Sequence, residues 1–206
     1  MPTRPAPEKF TDRLRDVQDL RERRGRFLLC RCTAGDLRSA VLADVLRRTA
    51  GLLGLRASLT APSEDLLPWN VHPPSVAQHG HPAADVHVTS GAWSLPDADP
   101  LVQRLALLGV DASSPAHLTA QDLLAASDRL TGWRADVAAW AEEPSTPMCA
   151  EVQQDLLAAL AVSDTVQALS VLDELATSEM PPGCRFETFA WADRLVGLDL
   201  ARDVGR

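Results

Sequence analysis

The segment from Arg26 to Ala61 constrains the fold more than any other part of the chain. An apolar run over 26–32 is typical of a buried strand. Asp36 then stands where a helix N-cap is expected, and apolar residues follow it at helical spacing until two glycines end the pattern. Residues 56–61 alternate in a way that predicts a second strand. Strand, helix and strand joined by short connections predict a parallel crossover.

The middle of the chain predicts one more strand and one more helix. Residues 62–82 are rich in Pro and His and predict a long loop, while 85–89 predicts a third strand. Asp99 and Pro100 are expected to open a helix over 101–108, because Pro fits the first turn of a helix.

Four helices are expected in the second half. Thr119–Asp122 is a capping sequence before the first, the second covers about 149–162, and Asp164 restarts the chain as a third. The run Pro181–Gly183 is expected to stop the third helix, and a last one spans roughly 187–198.

Together these patterns predict an α/β fold followed by an all-α part. We expect a parallel sheet in a first domain over 1–110, and a C-terminal helical bundle domain over 111–206. Trp133 and Trp140 are expected in the core of the bundle rather than in a stacking platform.

Charge is divided unevenly along the chain. Residues 1–56 hold 13 of the 20 basic and 7 of the 28 acidic residues, which gives +6 there and −14 beyond. An acidic body disfavours non-specific binding to nucleic acid. The arginines in 21–26 form either a local phosphate-facing patch or a solvated helix end with ion pairs. The alternative to a nucleic-acid partner is a protein partner or a second copy of the chain, bound through the bundle.

No apolar run reaches the roughly 18 residues that a membrane-spanning helix needs, and the N-terminus lacks the apolar centre of a signal peptide. We therefore expect a cytoplasmic protein without a membrane partner. The four cysteines are not spaced like a secreted disulfide framework and are interpreted as reduced thiols.

The stretch Cys30–Arg48, CRCTAGDLRSAVLADVLRR, resembles the first nucleotide-binding turn of cysteinyl-tRNA synthetases. In that class I family a strand ends in Cys, and a His-x-Gly-His/Asn signature opens a helix that often reads FDVLRR. Gly35, Arg38 and the run ADVLRR keep the register here. Thr33 and Asp36 stand where the signature has its histidine and its second polar residue.

Four later segments are similar to the same family in the same order. Asp99–Leu108 resembles its DPEALRYFLL helix, and is closer to the RLALL version of the mycothiol cysteine ligases. Ser114–Ala126 aligns with RSPLNYSEENLEQA, Val162–Leu169 resembles DDLNTPAAL, and Asp193–Leu198 resembles the closing LDRVLGL helix. The resemblance implies a synthetase-like scaffold, in which 1–110 is a reduced Rossmann-like domain of the nucleotide-binding type and 111–206 is similar to the C-terminal helices of the family. It also implies ATP or an aminoacyl-adenylate as a ligand.

The second signature of that family, Lys-Met-Ser-Lys-Ser, has no counterpart. Nothing between Thr89 and Asp99 resembles it, and Lys9 is the only lysine of the chain. Those lysines and the first-signature histidines stabilise charge on the ATP phosphates, so their loss removes several kcal/mol of transition-state support, on the order of 3–4 per lost donor. Arg38 or Arg31 could substitute for them in part, although nothing in the sequence directs either side chain toward a phosphate.

The resemblance places the candidate nucleotide-binding residues at the first turn, namely Thr33, Gly35, Asp36 and Arg38. Gly35 would let a phosphate approach the helix N-terminus, although the carboxylate of Asp36 would compete for the same amides.

Further candidates for ligand binding are Cys30, Cys32, Glu64, Asp65 and His87. Glu64 and Asp65 occupy the place of a Thr-Asp pair in the family and would bind a ribose hydroxyl or an ammonium group, or serve as loop acids without a role.

The zinc of the family is held by two Cys, one His and one Glu. Cys30 matches the first of these ligands by its place in the sequence, but the segment with the second Cys has no counterpart. A site would have to be rebuilt from Cys32, His79, His81 or His87. We therefore expect no zinc, and interpret Cys149 and Cys184 as packing residues.

Three functions follow from these observations. The first is a non-adenylating relative of the synthetases that acts by binding a partner protein, a tRNA end or an aminoacyl-adenylate. The alternative is a minimal cysteine- or amino-acid-dependent ligase or transferase with a rebuilt site. The third is a structural subunit that oligomerises through the bundle.

Overall fold

A computed structural model of the protein describes residues 27–33, 35–54, 56–60, 64–72 and 86–206. The predicted arginine patch in 21–26 and the histidines at 79 and 81 lie outside these ranges. The described part of the chain is mixed α/β, with its strands in the first 120 residues and a helical C-terminal half.

Three strands form a parallel sheet in the order β2–β1–β3. They are β1 (Phe27–Cys32), β2 (Arg56–Thr60) and β3 (Val86–Val88). Helix α1 (Leu37–Leu52) connects β1 to β2, which confirms the predicted strand, helix and strand. The chain begins this helix at Asp36 as predicted, since the Asp36 carboxylate accepts a hydrogen bond from the amide of Ser39.

The predicted loop over 62–82 contains a 3₁₀ helix (Glu64–Trp69), which was not predicted. Six residues are too few to show a helical period in the sequence. Two further strands, β4 (Trp93–Ser94) and β5 (Ala116–His117), pair in parallel. They were not predicted, because two residues are too few to show the alternation of a strand.

Five helices follow, namely α2 (Pro100–Leu108), α3 (Ala120–Trp140), α4 (Ala150–Ala161), α5 (Thr165–Thr177) and α6 (Pro182–Val196). The predicted caps are confirmed at three of them. Asp99 caps α2, Thr119 and Asp122 form a capping box at α3, and Asp164 caps α5.

Helix α6 begins five residues before its predicted start at 187. Pro182 occupies its first turn, where a missing N–H and a fixed φ favour Pro, rather than ending the preceding helix. Gly183 follows because a Cβ there would lie 2.1 Å from the carbonyl oxygen of Pro144. The proline pair is thus a start signal for α6.

One apolar core runs from the sheet into the helical half. Cys30, Leu59 and Val86 contribute to it from the three strands. Trp133 and Trp140 are buried and meet Phe189 edge-on, with ring centroids 5.8 and 5.2 Å away, which confirms them as core residues. Within the described ranges, no helix combines the length and the apolar character needed to cross a bilayer.

Candidate functional site

The strand order directs attention to the carboxyl ends of β1 and β3. The chain leaves β1 toward β2 on one side, and later returns to the other side of β1 as β3. In open parallel sheets, ligands bind outside the carboxyl ends of the strands at such a reversal of strand order. The residues that follow β1 and β3 are therefore the candidate site, and they include the predicted Thr33, Gly35 and Asp36.

The Asp36 side chain connects the segments that follow β1 and β3. Its Oδ2 accepts a hydrogen bond from Ser90 Oγ at 2.9 Å, and its Oδ1 accepts one from Trp93 Nε1 at 2.6 Å. Oδ1 also accepts the N-capping bond from the amide of Ser39, at 3.2 Å. One carboxylate therefore joins the start of α1 to the segment after β3, and it accepts a hydrogen bond from one of the N-terminal amides of the helix.

Two further hydrogen bonds lie within the described part of the turn. The amide of Thr33 donates to Ser39 Oγ at 3.1 Å, and Ser39 Oγ donates to the carbonyl of Asp36 at 3.0 Å. Gly35 has φ +73°, a backbone conformation that favours glycine, and a Cβ there would have no atom within 4 Å. The glycine thus serves the reversal of the chain, and leaves open space beside it.

Arg38 lies next to the turn but points into the protein. Its Nη1 donates to the carbonyl of Ser114 at 2.6 Å, and its Nη2 donates to those of Asp111 at 2.6 Å and Val110 at 3.4 Å. The side chain is completely buried. Burial lowers the pKa of the Arg38 guanidinium, and the carboxylates of Asp36 and Asp111 oppose that shift. This arginine holds the loop between α2 and β5.

The sheet separates the cysteines from His87. Cys30 pairs with Val86 and Cys32 with Val88, whereas His87 pairs with Arg31. Because successive side chains of a strand point to opposite faces, the two buried cysteines lie on one face and the exposed His87 on the other. The structure does not bring these candidate ligands together.

Cys30 and Cys32 lie in the apolar core. Cys30 and Cys32 are both nearly inaccessible to solvent. Burial raises the pKa of the Cys32 thiol, the charge of Asp36 adds to this, and a backbone hydrogen bond opposes it. Metal binding and nucleophilic attack both need the thiolate, which this environment disfavours. None of the four cysteines, all of which lie in the described ranges, forms a disulfide.

Glu64 and Asp65 lie at the start of the 3₁₀ helix. The Asp65 side chain is exposed, and it contributes nothing to the contacts around Asp36. In the part of the chain that the structure describes, no three His, Cys, Asp or Glu side chains come together as a metal site would require.

A cluster of charges that was not predicted is centred on Asp44, in the middle of α1. Asp44 is fully buried and forms ion pairs with Arg104 at 2.8 Å, Arg48 at 2.7 Å and Arg47 at 2.7 Å. The sequence did carry a signal for part of it, since Arg47 and Arg48 follow Asp44 by three and four residues in a helix. Arg104 carried none, because it comes from a distant segment.

Arg104 ties this cluster to the rest of the protein. It is completely buried, and it donates to the carbonyls of Val196 at 2.7 Å and Trp69 at 2.8 Å in addition to Asp44. Arg48 donates to the carbonyl of Asn70 at 2.7 Å. Helices α1, α2 and α6 and the 3₁₀ helix therefore meet at one hydrogen-bonded group of charges.

Comparison of the chain with family models, with curated proteins and with solved structures finds no match.

Proposed function

We propose that this protein is a non-adenylating relative of the cysteinyl-tRNA synthetases that acts by binding a partner, on a reduced Rossmann-like scaffold. The relationship rests on the collinear segments of the sequence. The observation that carries the function is the position of the Asp36 carboxylate, which caps α1 and accepts hydrogen bonds from Ser90 and Trp93.

Electrostatics argues against a nucleotide at this turn. A helix N-terminus attracts phosphate through its free amides and its dipole. Here a carboxylate already accepts from one of those amides. A phosphate charge placed about 4 Å from it would be repelled by about 4 kcal/mol at an effective dielectric constant of 20. That exceeds the roughly 0.3–1 kcal/mol that a helix dipole contributes at an exposed terminus.

Arg38 is unsuited to compensate for the missing lysines. To reach a phosphate it would have to leave three backbone carbonyls. Hydrogen bonds to a charged group contribute about 1.5–3 kcal/mol each, and buried carbonyls left without a donor add their own penalty. Arg38 is therefore more stable bonded to these carbonyls than turned toward a phosphate.

The charge of the body favours a protein over an RNA as the partner. The chain beyond residue 57 carries −14, which opposes the approach of a phosphate backbone. A partner that presents lysine or arginine side chains would find a complementary surface on the helical half.

ATP–pyrophosphate exchange tests this proposal directly. We expect no exchange with cysteine or any other common amino acid, and no change in Tm on addition of ATP and magnesium. Amino-acid-dependent exchange by the purified chain would refute it and would favour the alternative of a rebuilt ligase.

A pair of variants tests the physical reason. Asp36→Ser removes the negative charge but keeps a good helix cap, so we expect it to bind inorganic pyrophosphate more tightly than the natural chain does. Asp65→Ser removes the same charge from an exposed position away from the turn, and should not change pyrophosphate binding. Equal binding by all three proteins would show that Asp36 does not exclude the anion.

A further inference from the structure

A second cavity lies away from the β1–β3 crevice. It has a volume of about 450 Å³ and is formed by the 3₁₀ helix, the ends of α1 and α6 and the start of α2. Four of its lining residues are charged, namely Arg48, Asp193, Arg194 and Asp199. None of the predicted site residues that the structure describes lines it.

Both arginines have hydrogen-bond donors to spare. Arg48 donates through Nε to Asp44 and through Nη2 to Asn70, which leaves Nη1 without a partner among the described residues. Arg194 is exposed and forms no ion pair within the described ranges. The cavity therefore presents two guanidinium groups that can bind a carboxylate.

The two acids differ in their availability. Asp193 Oδ1 accepts from the amide of Leu198 at 2.8 Å, and Oδ2 accepts from that of Leu200 at 3.1 Å, so this carboxylate is engaged in ending α6. The exposed carboxylate of Asp199 accepts no hydrogen bond from any described residue. Asp199 is therefore the acid that can accept from an ammonium group.

Backbone conformation singles out the same cavity. Among the described residues, only three that are not glycine have positive φ, and two of them, Asn70 at +56° and Asp199 at +55°, line it. Such conformations concentrate at ligand sites, where the surrounding structure holds them in place. Asp and Asn are also the residue types that adopt them most readily.

We propose that this cavity binds a free amino acid, with its carboxylate on Arg48 and Arg194 and its ammonium group on Asp199. The two arginines and two aspartates give the cavity walls no net charge. The aspartates would repel a simple anion, and the arginines would repel a simple cation. A zwitterion carries both charges and can pair with residues of each sign. Leu67 and Leu101 line the same cavity and favour an aliphatic side chain on the ligand.

Calorimetric titration of the full chain with leucine tests the proposal. N-acetyl-leucine lacks the ammonium group and leucinamide lacks the carboxylate, so each is the matched control for one half of the ligand. We expect leucine to bind and both derivatives to bind at least about tenfold more weakly, the change that about 1.4 kcal/mol produces. Absence of binding by leucine and every other common amino acid at about 10 mM, a concentration that detects Kd values in the millimolar range, would overturn it.

Variants that preserve the fold locate the site. Arg194→Gln removes an unpaired surface cation, and Asp199→Asn keeps a residue that tolerates positive φ. Each should weaken leucine binding by about tenfold, whereas Arg202→Gln, an exposed arginine outside the cavity, should not. Equal affinity for leucine in Arg194→Gln, Asp199→Asn and the natural chain would overturn the proposal.

The inference does not depend on the proposed loss of adenylation. Amino-acid-dependent pyrophosphate exchange would refute the proposed function. Leucine binding whose affinity is unchanged in Arg194→Gln and Asp199→Asn would refute only the assignment of this cavity.

Discussion

The Oδ2 atom of Asp44 lies 2.8 Å from Nη2 of Arg104, and neither side chain is exposed to solvent. The pair joins two segments that are 60 residues apart in the sequence. Every charge in the group has hydrogen-bond partners, and Arg104 uses its remaining donors on backbone carbonyls. A buried ion pair adds little net stability compared with apolar residues, but removing one partner leaves an uncompensated charge in the interior.

We therefore predict that Asp44→Asn lowers the free energy of unfolding by about 3–5 kcal/mol, as is typical when one member of a buried pair is lost. Urea denaturation followed by circular dichroism measures this change. Asp203→Asn is the matched control, because its pair with Arg206 spans 3.5 Å at the surface and should contribute less than about 1 kcal/mol. Equal losses of unfolding free energy in the two variants would show that burial of the Asp44 ion pairs does not increase their effect on stability.

Stability should fall as the solution becomes acidic, and Asp44 should account for part of the fall. Burial raises the pKa of Asp44, but attraction to Arg104, Arg48 and Arg47 outweighs burial and holds the pKa below its usual value. Such a group stabilises the fold above its unfolded pKa of about 3.9, and the contribution is lost as pH falls through the folded value. Unfolding measured between neutral and acidic pH should depend less steeply on pH in Asp44→Asn.

Asp193 should have the opposite effect on the pH dependence of stability. Burial raises its pKa, and the charge of Asp199 adds to this, while the amides of Leu198 and Leu200 and the charge of Arg48 oppose it. An acid whose pKa is higher in the folded state costs stability when ionised, so that cost is relieved as pH falls toward the unfolded value of about 3.9. Asp193→Asn should therefore make the loss of stability on acidification steeper, and a shallower loss would contradict the assignment.

Two glycines in helices should respond to alanine in opposite directions. A Cβ at position 183 would lie 2.1 Å from the carbonyl oxygen of Pro144, so Gly183→Ala should displace the loop before α4 and cost about 1–3 kcal/mol. At position 132 a Cβ meets no atom within 4 Å, so Gly132→Ala should raise stability by up to about 1 kcal/mol. Thermal unfolding of the two variants gives the comparison, and a stabilised Gly183→Ala would contradict the packing described for α6.

Arg38 should prove more important for folding than for any reaction. Arg38→Ala removes three hydrogen bonds to the loop between α2 and β5, each of about 1.5–3 kcal/mol, although their effects do not add fully. We expect a marked loss of Tm. Arg202→Ala, at an exposed position, should leave Tm nearly unchanged. A variant at Arg38 as stable as the natural chain would mean that the loop is held by other contacts.

Local signals in the sequence predicted most of the secondary structure. Asp36, Asp99, Thr119 and Asp164 were recognisable because an N-cap depends on contacts within a few residues. The start of α6 was missed because Pro182 is compatible with both ending one helix and beginning the next. The tertiary contact with Pro144 that selects between these choices cannot be read from neighbouring residues.

The site was predicted less well than the fold. Gly35 and Asp36 were correctly placed at the turn after the first strand, but Ser90 and Trp93 come from another part of the chain and carried no signal. Arg38 was considered for its charge, but charge does not reveal where a side chain points. Its orientation is set by hydrogen bonds to the loop at 110–114. Nucleotide or ligand binding by the predicted residues stays a prediction.

Arg104 stands before the predicted boundary at residue 110, yet one of its hydrogen bonds ends on Val196, ten residues from the C-terminus. A fragment that stops at 110 would keep a buried cation and lose the acceptor that helps to hold it there. We expect neither half to be a self-sufficient module, so replacing the helical half would require coordinated changes in α1 and α2. In an unfolding experiment, the sheet and the helical half should therefore lose their structure in one cooperative transition, despite the two kinds of architecture along the sequence.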